Sequence, residues 1–245
     1  MIIEFIGLPG SGKTTVCRHL AGRRGLEPMV LVPCSSATFG EGATSHLPTV
    51  YRKLIAAWRV LCSFRQAPWV SLKFLLYGLS SRPVTAWKIE QTLSGLSMLP
   101  RLYAERESPR RGVEVLIFEQ GLVQLFGSLA LPCEDQRHAD PKPATRAVIP
   151  GLVDGLVFLE CPQEFALRRV RERLHGKSRF DAWGDAEALK YLPVMESILV
   201  QAAEAAESAG VPVLRVDADL PPADSSAVIV DWLLELRSRA ESQSE

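Results

Sequence analysis

Residues 7–15 read GLPGSGKTT and follow directly on an apolar opening, MIIEFI. Gly7, four intervening residues, then Gly12, Lys13 and Thr14 satisfy the pattern G-x-x-x-x-G-K-[ST]. Few short stretches constrain a chain so tightly, because each position answers a physical need. Glycines let the backbone curl until successive N–H groups point at phosphate oxygens, and the positive end of a following helix adds to the field. The lysine reaches the outer phosphates, and the hydroxyl after it ligates magnesium. The pattern means this only between a strand and a helix. Here the β-branched and aromatic run IIEFI stands before it, and GKTTVCRHLAGRRG carries apolar residues at helical spacing behind it. Gly7, Pro9, Gly10, Ser11, Gly12, Lys13, Thr14 and Thr15 are therefore the expected contacts of a nucleoside triphosphate.

The rest of the chain reads as strands alternating with helices. MVLVP (29–33), VEVLIF (113–118), GLVFLE (155–160) and VPVLRV (211–216) join the first run as candidate strands, each largely apolar on both faces. Such strands belong to a parallel sheet covered by helices. Segments near 47–66, 69–80, 84–107, 162–174, 185–209 and 224–240 fit those helices. The pattern predicts an α/β fold: a doubly wound, mostly parallel, five-stranded sheet. At 245 residues and 47% hydrophobic content the chain can bury one full core, so a single domain over 1–245 is expected.

Charge and cysteine usage exclude several classes. Basic and acidic residues balance at 28 each, which argues against nucleic acid as a partner. Five dispersed cysteines, Cys17, Cys34, Cys62, Cys133 and Cys161, form neither a disulfide framework nor a zinc motif and read as reduced thiols. No apolar run reaches the roughly 18 to 20 residues that cross a bilayer. With no secretory leader legible, a cytoplasmic location is expected. One local asymmetry hides in the balance. From Gly42 to Ile89 the chain carries Arg52, Lys53, Arg59, Arg65, Lys73, Arg82 and Lys88 and no Asp or Glu. Three readings stay open for it: helices solvating one face, a wall for an anionic acceptor, or attachment to an acidic membrane surface.

A phosphate loop alone does not choose a function. GTPases read guanine with Asn-Lys-x-Asp, and this chain has no asparagine. LSGLS (93–97) and VLIFEQG (115–121) echo transporter ATPases, yet Leu96 replaces the second glycine of their signature and the strand ends Phe118-Glu119 instead of Asp-Glu.

Three further stretches carry a resemblance. VEVLIFEQGLVQ is similar to the third strand of P-loop nucleoside and nucleotide kinases, with thymidylate kinase the nearest pattern. GLVFLECPQEFALRRVRERLHGKSRFD resembles their fourth strand, the helix after it and an arginine-rich lid, here about 173–184. VPVLRVDADLPPADSSAVIVDWL resembles the last strand, its Asp-Ala turn beside adenine and the C-terminal helix. The segment of about 42–110 matches nothing specific and stands as a helical acceptor-side insert.

The resemblance implies a magnesium- and ATP-dependent phosphotransferase. It assigns catalytic roles to Lys13, Glu119, Arg173 and Arg179, with Asp181 holding an arginine; it sets Arg169, Asp217 and Ala218 against the nucleotide, and Thr14 and Glu119 at the metal. Gln120 stands where the family carries arginine, and the acidic–basic pair after the second strand is missing from LVPCSSATFGEG. A nucleoside monophosphate acceptor is thereby disfavoured, and the acceptor stays open among nucleosides, nucleotides and other small hydroxyl compounds. A nucleotide-binding regulatory NTPase without such an acceptor is the alternative. Homodimerisation is left open.

Overall fold

In the computed structural model the described residues are 1–21, 29–32, 49–80, 84–107, 115–129, 140–172, 180 and 183–242. The strands are β1 (Ile2–Gly7), β2 (Met29–Val32), β3 (Val115–Phe118), β4 (Gly155–Glu160) and β5 (Val213–Asp217). They order as β2-β3-β1-β4-β5, and every neighbouring pair runs parallel. Ile2 lies opposite Leu116, Gly7 opposite Leu159, and Glu160 opposite Asp217. The chain leaves β1 for one side, returns through β3, then crosses to β4 on the other. Such a reversal opens a crevice at the carboxyl ends of the strands.

Nine helices occur among the described residues: α1 (Lys13–Ala21), α2 (Thr49–Gln66), α3 (Pro68–Ser80), α4 (Ala86–Glu107), α5 (Leu122–Leu129), α6 (Lys142–Val148), α7 (Gln163–Arg171), α8 (Asp185–Ser208) and α9 (Pro222–Ser242). α1 packs on α9, α5 packs on α8, and α2 and α3 both lean on α4. Every residue of β1 and β3, and all of β4 except Glu160, is buried, as strands covered on both faces must be. The core is continuous from the sheet into α5 and α8. Burying this apolar surface is the main favourable term in folding. α4 and α8 continue through Pro100 and Pro193, each of which removes one helical hydrogen bond.

β5 departs from the expectation of a strand apolar on both faces. It is an edge strand, with Val213 and Leu214 half-buried and Arg215 exposed. Arg215 donates to the Glu160 carboxylate at 2.9 Å and lies 3.8 Å from that of Glu207. The short α6 was not foreseen, since seven residues are too few for a helical period to declare itself. Its start signal is nonetheless present, because the Asp140 carboxylate accepts from Lys142 N–H at 2.9 Å and a proline occupies its first turn. No helix among the described residues is long and apolar enough to cross a membrane.

Candidate functional site

The loop from Gly7 to Gly12 leaves the end of β1 and feeds directly into α1. Its turn is closed by Ser11 N–H donating to Leu8 C=O at 3.1 Å, and Gly10 and Gly12 both sit at φ +90°, a left-handed backbone that favours glycine. At Gly10 a second constraint applies. A Cβ there would lie 2.2 Å from the carbonyl oxygen of Ala166, so the loop rests backbone to backbone on α7. The Lys13 ammonium lies inside the loop, donating to Gly7 C=O at 2.8 Å, Leu8 C=O at 2.9 Å and Ser11 Oγ at 3.2 Å. Such a charge is held by carbonyl dipoles until an anion offers more.

Beneath the loop lies a polar layer that the sequence pattern did not reveal. Glu4, in the middle of β1, is only 1% exposed, and its carboxylate accepts from Gln124 N–H at 2.9 Å. Gln124 Oε1 in turn accepts from Gly7 N–H at 3.0 Å. Burial pushes the Glu4 carboxyl up to about 7, against the opposing pull of backbone N–H groups from residues 121–124 at the start of α5. Gly121 makes this approach possible, because a Cβ there would lie 2.4 Å from Glu4 Cδ. One signal was available: a lone glutamate inside an apolar run.

Thr14 and Glu119, expected to share a metal, are in contact. The Thr14 hydroxyl donates to the Glu119 carboxylate, joining the first turn of α1 to the residue after β3. Glu119 is 7% exposed, whereas Thr14 faces outward. Both present oxygen, the donor type magnesium prefers. Among the described residues no three His, Cys, Asp or Glu gather tightly enough to hold an ion by themselves. The Cys17 and Cys161 thiols are pushed up chiefly by burial, away from the thiolate form that reacts.

On the other side of the loop a cavity of about 200 Å³ opens. Ser11, Gly12, Thr15 and Val16 form one wall, and Arg169, Ala218 and Leu220 stand opposite. Arg169 Nη1 donates to Ala218 C=O at 3.1 Å, and its Nη2 lies 3.8 Å from the Asp219 carboxylate. The Asp217 carboxylate accepts from Asp219 N–H at 2.8 Å, while Ala218 N–H donates to Glu160 C=O at 2.8 Å. The turn after β5 is thus tied both to β4 and to α7. Arg169 and Ala218, remote in sequence from the glycine-rich loop, line this cavity with it, whereas Asp217, next to Ala218, is not among the lining residues.

Arg173, Arg179 and Asp181 lie outside the described residues. Of the neighbouring arginines, Arg168 turns over the ring of Phe165 at 4.6 Å. Arg171 donates to Phe180 C=O at 2.7 Å and to the Asp185 carboxylate at 2.8 Å. Phe180, Trp183 and Tyr191 pack together beside it, the first pair edge to face and the second tilted, with ring centroids 4.8 and 5.0 Å apart along the series. That aromatic cluster was also missed, for its members belong to no single period.

No protein-family model and no curated protein matches the chain. Among solved structures it is similar to deoxyadenosine kinase from M. mycoides with bound dATP, at 15% identity and a TM-score of 0.53, over 95% of this chain and 98% of that one. The same enzyme with bound dCTP aligns at 14% identity and a TM-score of 0.49, over 96% of this chain and 100% of that one. The dATP-bound likeness spans nearly the whole of both chains and shows a shared fold.

Proposed function

We propose that the protein is an ATP-dependent kinase that moves the γ-phosphoryl group of magnesium-bound ATP onto a hydroxyl of a small molecule, with nucleosides the first acceptor class. One observation carries this reading. Thr14, in the first turn after the phosphate-binding loop, touches Glu119 at the end of β3, so an anion cradle and a carboxylate stand side by side where the strands end. A carboxylate there can serve the metal and can also take a proton from an acceptor hydroxyl, which transfer to a small molecule requires. The fold shared with a deoxyadenosine kinase adds support for a nucleoside acceptor. Residues 1–245 then act as one domain, with about 42–110 as the acceptor-side insert and about 173–184 as the lid.

Phosphoryl transfer asks a protein chiefly to align donor and acceptor and to neutralise charge. In this reading the N–H groups of Gly10 to Thr15 hold the β- and γ-phosphates, and Lys13 exchanges its carbonyl partners for phosphate oxygen. Arg169, with Asp217 and Ala218, bounds the space for the purine. Thr14 and Glu119 would hold magnesium, directly or through water, and the ion would supply positive charge to the phosphates. Glu119 also takes the proton of the acceptor hydroxyl as the new oxygen–phosphorus bond forms and the bond to ADP breaks. Arg173 and Arg179 spread the charge of the moving group.

Incubation with γ-labelled ATP and separate nucleosides, deoxynucleosides, nucleoside monophosphates, sugars and aminoglycosides tests the reading. Label is expected on a nucleoside or deoxynucleoside and absent with Lys13→Ala. Release of inorganic phosphate alone, whatever the acceptor, would overturn it.

A further inference from the structure

The geometry points to a second surface, remote in role from nucleotide chemistry: the outward face of the helical insert docks on an acidic lipid bilayer. Of the thirteen large apolar side chains that stand exposed among the described residues, nine lie between positions 58 and 93. Scattered single exposures are ordinary, but such a concentration is not. Trp58 is 67% exposed, Trp69 74% and Leu76 58%.

α3 shows how the face is built. Ser71, Phe74, Tyr77 and Gly78 point inward, with Tyr77 OH donating to Phe126 C=O at 3.1 Å and Phe74 5.6 Å from the Phe126 ring. Trp69, Leu72, Lys73 and Leu76 recur at i, i+3, i+4 and i+7 and point outward. The helix is therefore apolar on two faces, and the protein covers only one. An outward stripe of tryptophan and leucine with a lysine among them suits the boundary between headgroups and acyl chains, where aromatic rings anchor and basic side chains reach up to lipid phosphates.

Charge decides what covers the stripe. Arg65 and Lys73 are exposed beside it, and from Gly42 to Ile89 there is no Asp or Glu, the first acid being Glu90. A second copy of the chain would bring this patch against itself about a two-fold axis, setting Arg65 and Lys73 near their own counterparts without an acid from that segment to pair with them. An anionic bilayer supplies the missing charge and the apolar phase together. None of this depends on the kinase reading, since the face uses none of the residues of the nucleotide site.

Flotation of the full-length protein with phosphatidylcholine vesicles and with phosphatidylcholine–phosphatidylserine vesicles tests the inference. Binding is expected to the serine-containing vesicles, at least about ten-fold weaker to phosphatidylcholine alone, and declining with added salt. Trp69→Ser/Leu76→Ser and Arg65→Glu/Lys73→Glu should each reduce it by about ten-fold or more. ATP binding by calorimetry should stay unchanged in both, which shows that they fold. Absence of binding to either vesicle overturns the inference. So does equal binding to both, and so does a dimer, seen by sedimentation without vesicle binding, that Trp69→Ser/Leu76→Ser dissociates.

Discussion

Arg169 and Ala218 meet across the mouth of the cavity, guanidinium to carbonyl, at 3.1 Å. The bond ties α7 to the turn after β5, a turn that Ala218 N–H also ties to Glu160 C=O, so Arg169 is one of two ties on the wall facing the glycine-rich loop. Arg169→Ala should raise the KM for ATP by about ten-fold or more, the scale of one lost hydrogen bond to a charged group, with a smaller change in kcat. Initial-rate kinetics at varied ATP separate the two. A fall in kcat at constant KM would place Arg169 in the chemistry instead.

Contact between Thr14 and Glu119 leads to a prediction about metal dependence. Glu119→Gln should lower kcat by roughly 10²-fold or more, the scale of a lost general base, and shift the magnesium titration upward. Thr14→Ala should shift the titration as well, whereas Thr14→Ser, which keeps the hydroxyl, should stay close to wild type. Turnover measured against magnesium concentration reads all three. Identical magnesium curves for wild type and Glu119→Gln would exclude the carboxylate from the metal.

Two glycines with the same φ should respond differently to alanine. Gly10 and Gly12 are both at +90°, yet a Cβ at Gly12 meets nothing within 4 Å while one at Gly10 meets the Ala166 carbonyl at 2.2 Å. Gly12→Ala should cost only conformational strain, about 1–2 kcal/mol. Gly10→Ala must also push the loop off α7 and should cost clearly more. Urea denaturation of the two variants checks the order, and equal losses would remove the Ala166 contact from the account.

Glu4 predicts how stability varies with pH. Its carboxyl titrates near 7 in the folded protein against an ordinary value of 4.5, so between those values the folded state keeps a proton that the unfolded chain releases. The contribution is fully present below the unfolded value and is lost as pH rises through the folded one, by up to about 3 kcal/mol. Glu4→Gln should therefore show a flatter profile than wild type between about pH 4.5 and about pH 7. Urea unfolding free energies across that range decide it, and parallel profiles would contradict the assignment.

The sequence discloses those parts of the molecule whose cause is local. The glycine-rich loop is readable because each residue type is dictated by its own backbone or by a phosphate. β4 is readable at both ends because GLVFLE is apolar until Glu160 reaches solvent. VPVLRV is readable as a strand, but its half-burial is not, because that depends on which strand lies outermost in the sheet. The bonds linking Glu4, Gln124 and Gly7 stayed hidden for a related reason: they join residues 117 and 120 positions apart. Arg169 and Ala218 are both named by the kinase resemblance, but the bond between them ends on a backbone carbonyl, which no side-chain pattern announces.

Consider finally the outer rim of the sheet at β5. Its neighbour on one side is β4, and its exposed Arg215 is held between Glu160 and Glu207. A guanidinium fixed there makes a poor template for an incoming strand, because any newcomer would have to bury or displace a neutralised charge cluster. Pairing of another chain onto that margin is thereby discouraged.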